Sequence, residues 1–475
     1  MADLRTVPIG DQRFTGEGET ITVRAPFDGG ELALVPRCGP AEVERAVAAA
    51  KAAHDAGPLP PWRRAEILDS AARLLGGRIE EFARTIAAES AKPLKTARIE
   101  AQRAVSTITF AAVAARTLVG DMVPVDAAQA GEGRLAFTLR LPIGVVGAIS
   151  PFNFPLNLVA HKLAPAIAAG CPVVLKPASQ TPLSAIALAD LLLNECGLPA
   201  GHLNVVTGGG SSIGHALVDN PDVSYISFTG SGEVGWGIAE RASRTKVALE
   251  LGNSSPVIID ADGDWERAAR TIAVAGFSHA GQSCVSTQRV FVHAKVADDF
   301  CTALAGLVGE LTVGDPLDDG TDVSALISTD DRDRVKSWVD EAVDQGAKVA
   351  TGGDIRDGLL APTVLTNVRP EMRVCRDEVF GPVVAVQTVA GVDEALDLAD
   401  DTRYGLQAGI FTARIDTALR AAHRLRFGAV MVNEVPTWRA DQMPYGGVRE
   451  SGNTKEGPAY AVREMTEERL VVITP

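Results

Sequence analysis

Short apolar segments alternate with helical segments from Val145 onward, and this alternation limits the possible folds more than any other pattern in the chain. The apolar segments are VVGAI, PVVLK, LNVV, VSYISF and KVALEL, and helical periodicity separates them over 159–169, 183–196, 211–219 and 232–244. Strands that alternate with helices pair in parallel, and the helices cover both faces of the sheet. We therefore predict a doubly wound α/β domain.

A second series of the same type begins at PVIID, residues 256–260. It continues with predicted helices over 264–279, 296–309 and 330–345 and predicted strands over 289–293, 362–366, 383–389, 408–412 and 428–433. This series indicates a second α/β domain. Two domains agree with the length of 475 residues, because a single hydrophobic core rarely grows beyond about 250–300 residues.

The part of the chain before Val145 has a different character. It is predicted to be mostly helical, because apolar residues recur with helical spacing over 41–56, 62–91 and 95–120. The segment 121–142 is polar, contains Gly and ends in an alternating pattern, which predicts a β-hairpin that leaves the domain.

Charge and cysteine usage exclude several classes of protein. The net charge of -15 is spread along the chain without a Lys/Arg run, so we expect no nucleic-acid partner. No targeting leader and no run of roughly 18 apolar residues is found, so we expect a cytoplasmic protein without a membrane partner. The cysteines at 38, 171, 196, 284, 301 and 375 form no CxxC pair and have no His partner at zinc-ligand spacing. We therefore expect reduced thiols, one of which could act in catalysis, and no metal site.

A glycine-rich turn follows the predicted strand VSYISF. Gly230, Gly232 and Gly235 have the GxGxxG spacing of a dinucleotide-binding turn, although a tight strand-to-helix turn explains the same spacing. Glu250 lies at the distance where the dinucleotide pattern places a ribose-binding acid. It also ends a predicted parallel strand, where α/β sheets place catalytic groups. Spacing alone leaves both roles open.

Several motifs become informative when they are read in order. They are ISPFNFP (149–155), LKPASQTP (175–182), FTGS (228–231), LELG (249–252), FSHAGQSC (277–284), EVFGPV (378–383), YGLQAGIFT (404–412) and MPYGGVRESG (443–452). From about Glu42 to the C-terminus the chain resembles the aldehyde dehydrogenase superfamily, in particular its NAD(P)-dependent, non-acylating members. VAHKLAPAIAAG, GQSCVSTQR and VPTWRADQMPYGGV are most similar to the lactaldehyde and phosphonate-aldehyde branch.

The resemblance implies an architecture. It is a Rossmann-like cofactor domain (1–120 and 143–252), a catalytic α/β domain (253–449) and a β-hairpin oligomerisation arm (121–142 with 450–475). An arm with unpaired strand edges implies a partner copy, in a homodimer or a homotetramer.

The resemblance also implies three catalytic residues. Cys284 matches the nucleophile that attacks the aldehyde carbon, since a thiolate is the best side-chain nucleophile near neutral pH. Asn153 matches the oxyanion donor, and Glu250 matches the base that activates water to hydrolyse the thioester. The alternatives are an inert core thiol, a turn-forming asparagine and a strand-end salt bridge.

For the cofactor, the resemblance implies NAD or NADP. The matching positions are Ile149, Ser150, Pro151, Phe152, Lys176, Ser179, Gly208, Phe228, Gly230, Ser231, Val234, Leu251, Gly252, Glu378 and Phe380. Many NAD-preferring members have a glutamate where this chain has Ser179, and that glutamate repels a 2′-phosphate. The serine removes the repulsion, so we predict that both cofactors are used.

The substrate is expected to be a short aldehyde that carries a hydroxyl or an anionic group. Arg103, His161, Arg289 and Arg439 lie on segments that include the borders of the family's substrate tunnel, and two converging cations would bind a carboxylate, phosphate or phosphonate. Two alternative functions stay open: a CoA-acylating dehydrogenase, against which Glu250 argues, and a non-catalytic scaffold, against which the intact catalytic residues argue.

Overall fold

A computed structural model describes residues 3–16, 19–242 and 244–474. Its first sheet contains five parallel strands in the order β11-β10-β7-β8-β9. These strands are β7 (Val145–Ile149), β8 (Val173–Lys176), β9 (Leu203–Val205), β10 (Val223–Thr229) and β11 (Lys246–Glu250). The helices between them are α5 (Asn157–Ala169), α6 (Leu183–Asp190), α7 (His215–Val218) and α8 (Gly232–Arg241). The predicted doubly wound α/β domain is confirmed.

The second sheet has seven strands in the order β14-β17-β18-β13-β12-β19-β20, with β14 antiparallel to its neighbour at one edge. Its strands are β12 (Ser255–Ile259), β13 (Thr287–His293), β14 (Lys348–Thr351), β17 (Thr363–Thr366), β18 (Val383–Val389), β19 (Gln407–Phe411) and β20 (Ala429–Val432). Its helices are α9 (Trp265–Ala275), α10 (Ala297–Gly309), α11 (Thr329–Asp344), α12 (Arg373–Arg376), α13 (Val392–Asp400) and α14 (Ile415–Arg424). A small hairpin, β15 (Ile355–Arg356) with β16 (Leu359–Leu360), lies between β14 and β17.

The N-terminal part differs from its prediction. Five short strands precede the first helix: β1 (Asp3–Leu4), β2 (Val7–Ile9), β3 (Gln12–Phe14), β4 (Thr20–Arg24) and β5 (Glu31–Pro36). Helices then follow as predicted: α1 (Pro40–Asp55), α2 (Pro61–Gly76), α3 (Ile79–Ser90) and α4 (Leu94–Thr117). The single predicted helix over 62–91 is two helices, because Gly77 and a non-helical Arg78 interrupt it.

The arm is built from two distant parts of the chain. Strand β6 (Leu135–Pro142) pairs antiparallel with β21 (Thr466–Ile473) along its whole length, and only a short stretch near Met122 pairs with β6 from within the predicted hairpin. Helix α15 (Pro458–Glu464) does not belong to this arm, because Val462 and Met465 are buried in the core of the first sheet.

The core is divided at the end of β11. One cluster of buried apolar residues covers both faces of the first sheet, and a second cluster begins at Val257 and surrounds the second sheet. Helix α5 is buried on every face, so its polar residues, Asn157, His161 and Lys162, need partners inside the protein. Among the described residues, no helix combines the length and the apolar composition that a membrane crossing requires.

Candidate active site

The carboxyl ends of the parallel strands of the first sheet open into a cleft of about 1280 Å³. Side chains that follow β7, β8, β10 and β11 line it, as expected for ligand sites in open α/β sheets. All the positions predicted to bind the cofactor line this cleft except Gly208, whose carbonyl accepts a hydrogen bond from Ser179 at 2.8 Å. Asn153, Glu250 and Cys284 line it as well. The motifs that were separate in sequence therefore meet in one place.

Cys284 stands at the boundary between the two sheets, in the loop between α9 and β13. Its side chain is partly buried, and the hydroxyl of Tyr445 lies 2.9 Å from its Sγ. Burial raises the pKa of the thiol to about 12, and nearby Glu378 and Glu250 act in the same direction. The thiol is therefore neutral at pH 7 until a ligand or a proton acceptor changes its surroundings.

Asn153 is placed beside the cysteine loop with the help of a buried ion pair between Lys92, just before α4, and Glu100 on α4. Its side-chain amide donates to the carbonyl of Gln282 at 2.9 Å. Lys92 and Glu100 form a fully buried salt bridge, and Glu100 accepts hydrogen bonds from the main-chain N–H groups of Leu156 and Asn157 at 3.0 and 3.1 Å. The segment that carries Asn153 is thus anchored to a rigid helix. An amide has two N–H groups, so one remains for a developing oxyanion.

Glu250 ends β11 inside the protein, with neither carboxyl oxygen hydrogen-bonded to another described residue. Burial raises its pKa well above the ordinary value, and the nearby Glu456 raises it further. A Cβ on Gly446 would lie 2.5 Å from a Glu250 oxygen, so this glycine provides the space that the carboxyl occupies. A carboxyl group without a protein partner has both oxygens free for a water molecule, and a raised pKa makes its carboxylate form a stronger base toward that water.

The cleft has the features that a dinucleotide requires. Lys176 is buried, and its only described hydrogen-bond partner is the Pro177 carbonyl at 3.4 Å; burial lowers the pKa of its ammonium to about 8. The first turn of α8 lines the cleft beside Ser231, where unpaired N–H groups favour a pyrophosphate. Glu378 lies against Gly252, where a Cβ would collide with its carboxylate. These residues fit NAD or NADP.

Three of the four predicted substrate cations converge around Asp441. Arg103 donates to both oxygens of this carboxylate, at 2.8 and 3.3 Å, and His161 Nε2 lies 3.2 Å from Asp441 Oδ1. The guanidinium of Arg439 lies 3.0 Å from His161 Nε2 and 3.1 Å from Glu456. Burial lowers the pKa of His161, so its imidazole is neutral near pH 7.

The prediction for Arg289 is wrong. Its guanidinium is buried and donates to the main-chain carbonyls of Ser254, Leu398 and Ala399 at 3.1–3.2 Å. It faces a different cavity from the one that contains Cys284. Arg289 therefore holds loops of the second domain together and does not bind the substrate.

Four residues near Cys284 and Glu250 were not predicted from the sequence. They are Lys162, Asp441, Tyr445 and Glu456. Lys162 donates to Ser227 and Thr229 at 3.1 and 2.7 Å and lies 3.9 Å from Glu456. Lys162, Asp441 and Tyr445 lie in quoted motifs, and Glu456 lies four residues after one. The available signal for Lys162 was a charged residue on the mostly apolar α5. Over the described residues, no cluster of His, Cys, Asp and Glu has metal-binding geometry.

Comparisons with known proteins agree with this geometry. The pattern of the "Aldehyde dehydrogenase family" matches residues 14–471. A 3-sulfolactaldehyde dehydrogenase of Priestia aryabhattai is 47% identical over 91% of this chain and 90% of its own length. A lactaldehyde dehydrogenase of Methanococcus maripaludis is 39% identical over 87% of this chain and 88% of its own.

A solved structure extends the agreement to three dimensions. Glyceraldehyde-3-phosphate dehydrogenase GapN from Methanocaldococcus jannaschii, complexed with NADP, has a TM-score of 0.93 and 37% identity, covering 97% of this chain and 100% of that one. The expected fold and cofactor class are confirmed. The chain belongs to the aldehyde dehydrogenase family and is an oxidoreductase that acts on an aldehyde with NAD or NADP.

Proposed function

We propose that this enzyme oxidises a short aldehyde bearing a hydroxyl or an anionic group to the carboxylic acid, through a thioester on Cys284 that is hydrolysed with Glu250 as base. The observation that carries the substrate proposal is the buried Arg439 guanidinium, whose Nε has no described partner. It lies over the ring of Tyr445, 3.7 Å from the centroid, and the hydroxyl of that ring contacts Cys284. A cation so close to the nucleophile selects an anion on the substrate.

The charge balance beside Cys284 supports the same substrate class. The cations Arg103, Lys162 and Arg439 form salt bridges with two carboxylates, those of Asp441 and Glu456. Burial raises the pKa of the nearby Glu250 well above its ordinary value, which disfavours a third negative charge at this place. A sulfonate, phosphonate or carboxylate would supply the missing negative charge. The two relatives are named for short hydroxyaldehydes, one sulfonated and one neutral, and both names are consistent with the proposed substrate class.

The chain's own residues account for the chemical steps. The Cys284 thiolate attacks the aldehyde carbon, and the carbonyl electrons move to the oxygen, which the free N–H of Asn153 and the Cys284 main-chain N–H stabilise. When bound, NAD or NADP accepts the hydride that leaves this carbon. The acyl group then remains on Cys284 as a thioester. Glu250 takes a proton from water, the hydroxide attacks the thioester carbon, and the acid departs as the thiolate re-forms.

Matched substrates test the anion proposal. Lactaldehyde and 3-sulfolactaldehyde differ by the sulfonate, so we expect the larger kcat/KM with the sulfonated aldehyde. Arg439→Gln should reduce that kcat/KM by about 10- to 150-fold, because a hydrogen bond to a charged group contributes roughly 1.5–3 kcal/mol. Lactaldehyde should lose much less. Arg426→Gln, at a guanidinium exposed on the surface, serves as the control variant. Equal losses with both substrates would overturn the proposal.

We also propose three properties of the whole chain. Its domain boundaries lie near 120, 143 and 252. It forms a homo-oligomer joined through β6 and β21, and it is located in the cytoplasm. The separate cores on either side of residue 252 support the domains. Exposed Leu135, Leu139, Leu470 and Val472 support the interface. All six cysteines are free thiols, which agrees with a reducing compartment.

A further inference from the structure

The hydroxyl of Tyr445 has no role in the steps given above, although it lies 2.9 Å from the sulfur of Cys284. The ring is buried, with 3% of its surface exposed. It packs with Val285, Leu406 and Met443 in a small apolar cluster that also contains Cys284. The contact therefore belongs to the packed interior and not to a mobile surface side chain.

The main chain fixes the ring in this position. Tyr445 donates its N–H to the Glu456 carbonyl at 3.1 Å, and Glu456 donates its N–H back to the Tyr445 carbonyl at 2.6 Å. The Arg439 guanidinium covers one face of the ring. The backbone, the packing and the stacked cation together hold the phenol in one orientation. In that orientation its hydroxyl points to the sulfur of Cys284.

We propose that Tyr445 is a further catalytic residue, whose hydroxyl donates a hydrogen bond to Sγ of Cys284 and stabilises the thiolate that attacks the aldehyde. This inference rests on the proposed role of Cys284 as nucleophile. The thiol proton leaves to water in the open cleft, whereas the tyrosine keeps its own proton and acts only as a donor. No other described side chain makes a hydrogen bond to this sulfur.

The electrostatic setting supports the direction of this hydrogen bond. Burial raises the pKa of Tyr445 well above its usual value, so the phenol stays protonated over the working pH range. Burial also raises the pKa of the thiol, and a donor to the sulfur opposes that increase. The stacked Arg439 favours negative charge at the sulfur in the same way. The hydroxyl thus offsets part of the cost of forming a thiolate in an apolar site.

The test is the alkylation rate of Cys284 by iodoacetamide in the absence of aldehyde and cofactor, followed by the mass of the Cys284 peptide. Tyr445→Phe keeps the ring and its stacking and removes only the hydroxyl. At fixed pH we expect alkylation to slow by about tenfold or more, the effect of losing one hydrogen bond to a charged group. The kcat/KM should fall by a similar factor for lactaldehyde and for 3-sulfolactaldehyde.

Tyr225→Phe is the matched control, because Tyr225 is equally buried and its hydroxyl bonds to Glu464 at 2.9 Å, far in sequence from the cysteine loop. Alkylation in this variant should equal that of the wild type. Equal or faster alkylation in Tyr445→Phe would overturn the inference, and so would an equal loss in Tyr225→Phe. Cys284→Ser separates the two proposals: if it retains full activity, the proposed mechanism itself fails, whatever the tyrosine does.

Discussion

At the scale of single residues, the site combines the proposed nucleophile and the proposed base, and burial disfavours the charged form of both. The pKa of Cys284 is raised to about 12, and that of Glu250 lies well above its ordinary value, in both cases mainly because the groups are removed from water. Two adjacent negative charges are thereby avoided in the resting enzyme. Each group must lose a proton before it acts, and this requirement links activity to pH.

The raised pKa values of the two groups determine the direction of this pH dependence. The Cys284 thiol, whose pKa is raised to about 12, is protonated at pH 7, and its thiolate fraction grows as the pH rises. The raised pKa of Glu250 moves the ionisation of its carboxyl group toward higher pH as well. Both the thiolate and the ionised Glu250 are the active forms, so kcat and kcat/KM should rise from pH 6 toward alkaline pH. A stopped-flow pH series measures both constants. Activity that falls over this range would contradict these protonation states.

We expect cofactor choice to depend on Ser179, whose hydroxyl donates to the Gly208 carbonyl and carries no charge. We expect turnover with both NAD and NADP. Ser179→Glu should lower kcat/KM with NADP by at least about tenfold, because like charges near each other cost roughly 1.4 kcal/mol or more at partly buried sites. Activity with NAD should be preserved. Ser179→Ala, which changes the hydroxyl without adding charge, is the control; a glutamate variant that uses NADP as well as the wild type would refute the account.

The sequence allowed prediction of residues that lie within recognisable motifs. It did not allow prediction of residues that reach the site only through contacts made after folding. Cys284, Asn153 and Glu250 lie in quoted motifs, and the structure brings all three to one cleft. Arg289 was assigned to the substrate from its nearness in sequence to Cys284, but its place on β13 directs it into loops of the second domain. Tyr445 contacts a residue 161 positions away, and no spacing rule relates the two.

At the scale of elements, helix α4 organises the site although it lies outside both central sheets. Through Glu100 it holds the segment that carries Asn153, and through Arg103 it binds Asp441 next to His161. The predicted period of α4 was confirmed, but the buried pair of Glu100 on this helix and Lys92 just before it was not recognised. Short strands such as β14 and β15, and those before residue 37, were missed because runs of two to six residues carry little periodic signal.

The buried ion pair of Lys92 with Glu100 leads to a stability prediction. Glu100→Leu should leave Lys92 charged and unpaired inside the protein, at a cost of about 3–5 kcal/mol, and should lower the Tm markedly. The double variant Lys92→Met with Glu100→Leu should recover part of that loss. Arg116→Met, which breaks the half-exposed pair between Arg116 on α4 and Asp69 on α2, should cost no more than about 1 kcal/mol.

Differential scanning fluorimetry and kcat together check this prediction. Since Glu100 also anchors Leu156 and Asn157, kcat should stay low in the double variant even where the Tm recovers. If the double variant is less stable than Glu100→Leu, or if its kcat equals that of the wild type, then α4 does not position the oxyanion side of the site.

At the scale of the whole molecule, two strands from opposite parts of the sequence form an arm with an exposed apolar surface. Strands β6 and β21 pair only with each other and with a short stretch near Met122 among the described residues. Leu470 and Val472 are 55% and 47% exposed. Unpaired edges and exposed apolar residues of this kind favour association with a second copy.

The exposed apolar surface of the arm leads to a prediction about the oligomeric state. The wild type should be a dimer or tetramer in multi-angle light scattering, and Leu470→Lys with Val472→Lys should shift it to smaller species by placing charges in the interface. Ile415→Lys, at a residue that is 74% exposed on α14, tests the effect of a charge elsewhere and should leave the assembly intact. A wild-type monomer, or an unchanged assembly in the double variant, would rule out this interface.

The most direct test of the mechanism is the intact mass of the Glu250→Gln variant after one turnover with aldehyde and cofactor. The account predicts a burst of reduced cofactor, followed by slow turnover and an acyl group on the Cys284 peptide. The adduct should be absent from Cys284→Ser, because that variant lacks the thiol that forms the thioester. A full burst without any adduct on Cys284, or an adduct on another residue, would contradict the proposed thioester mechanism.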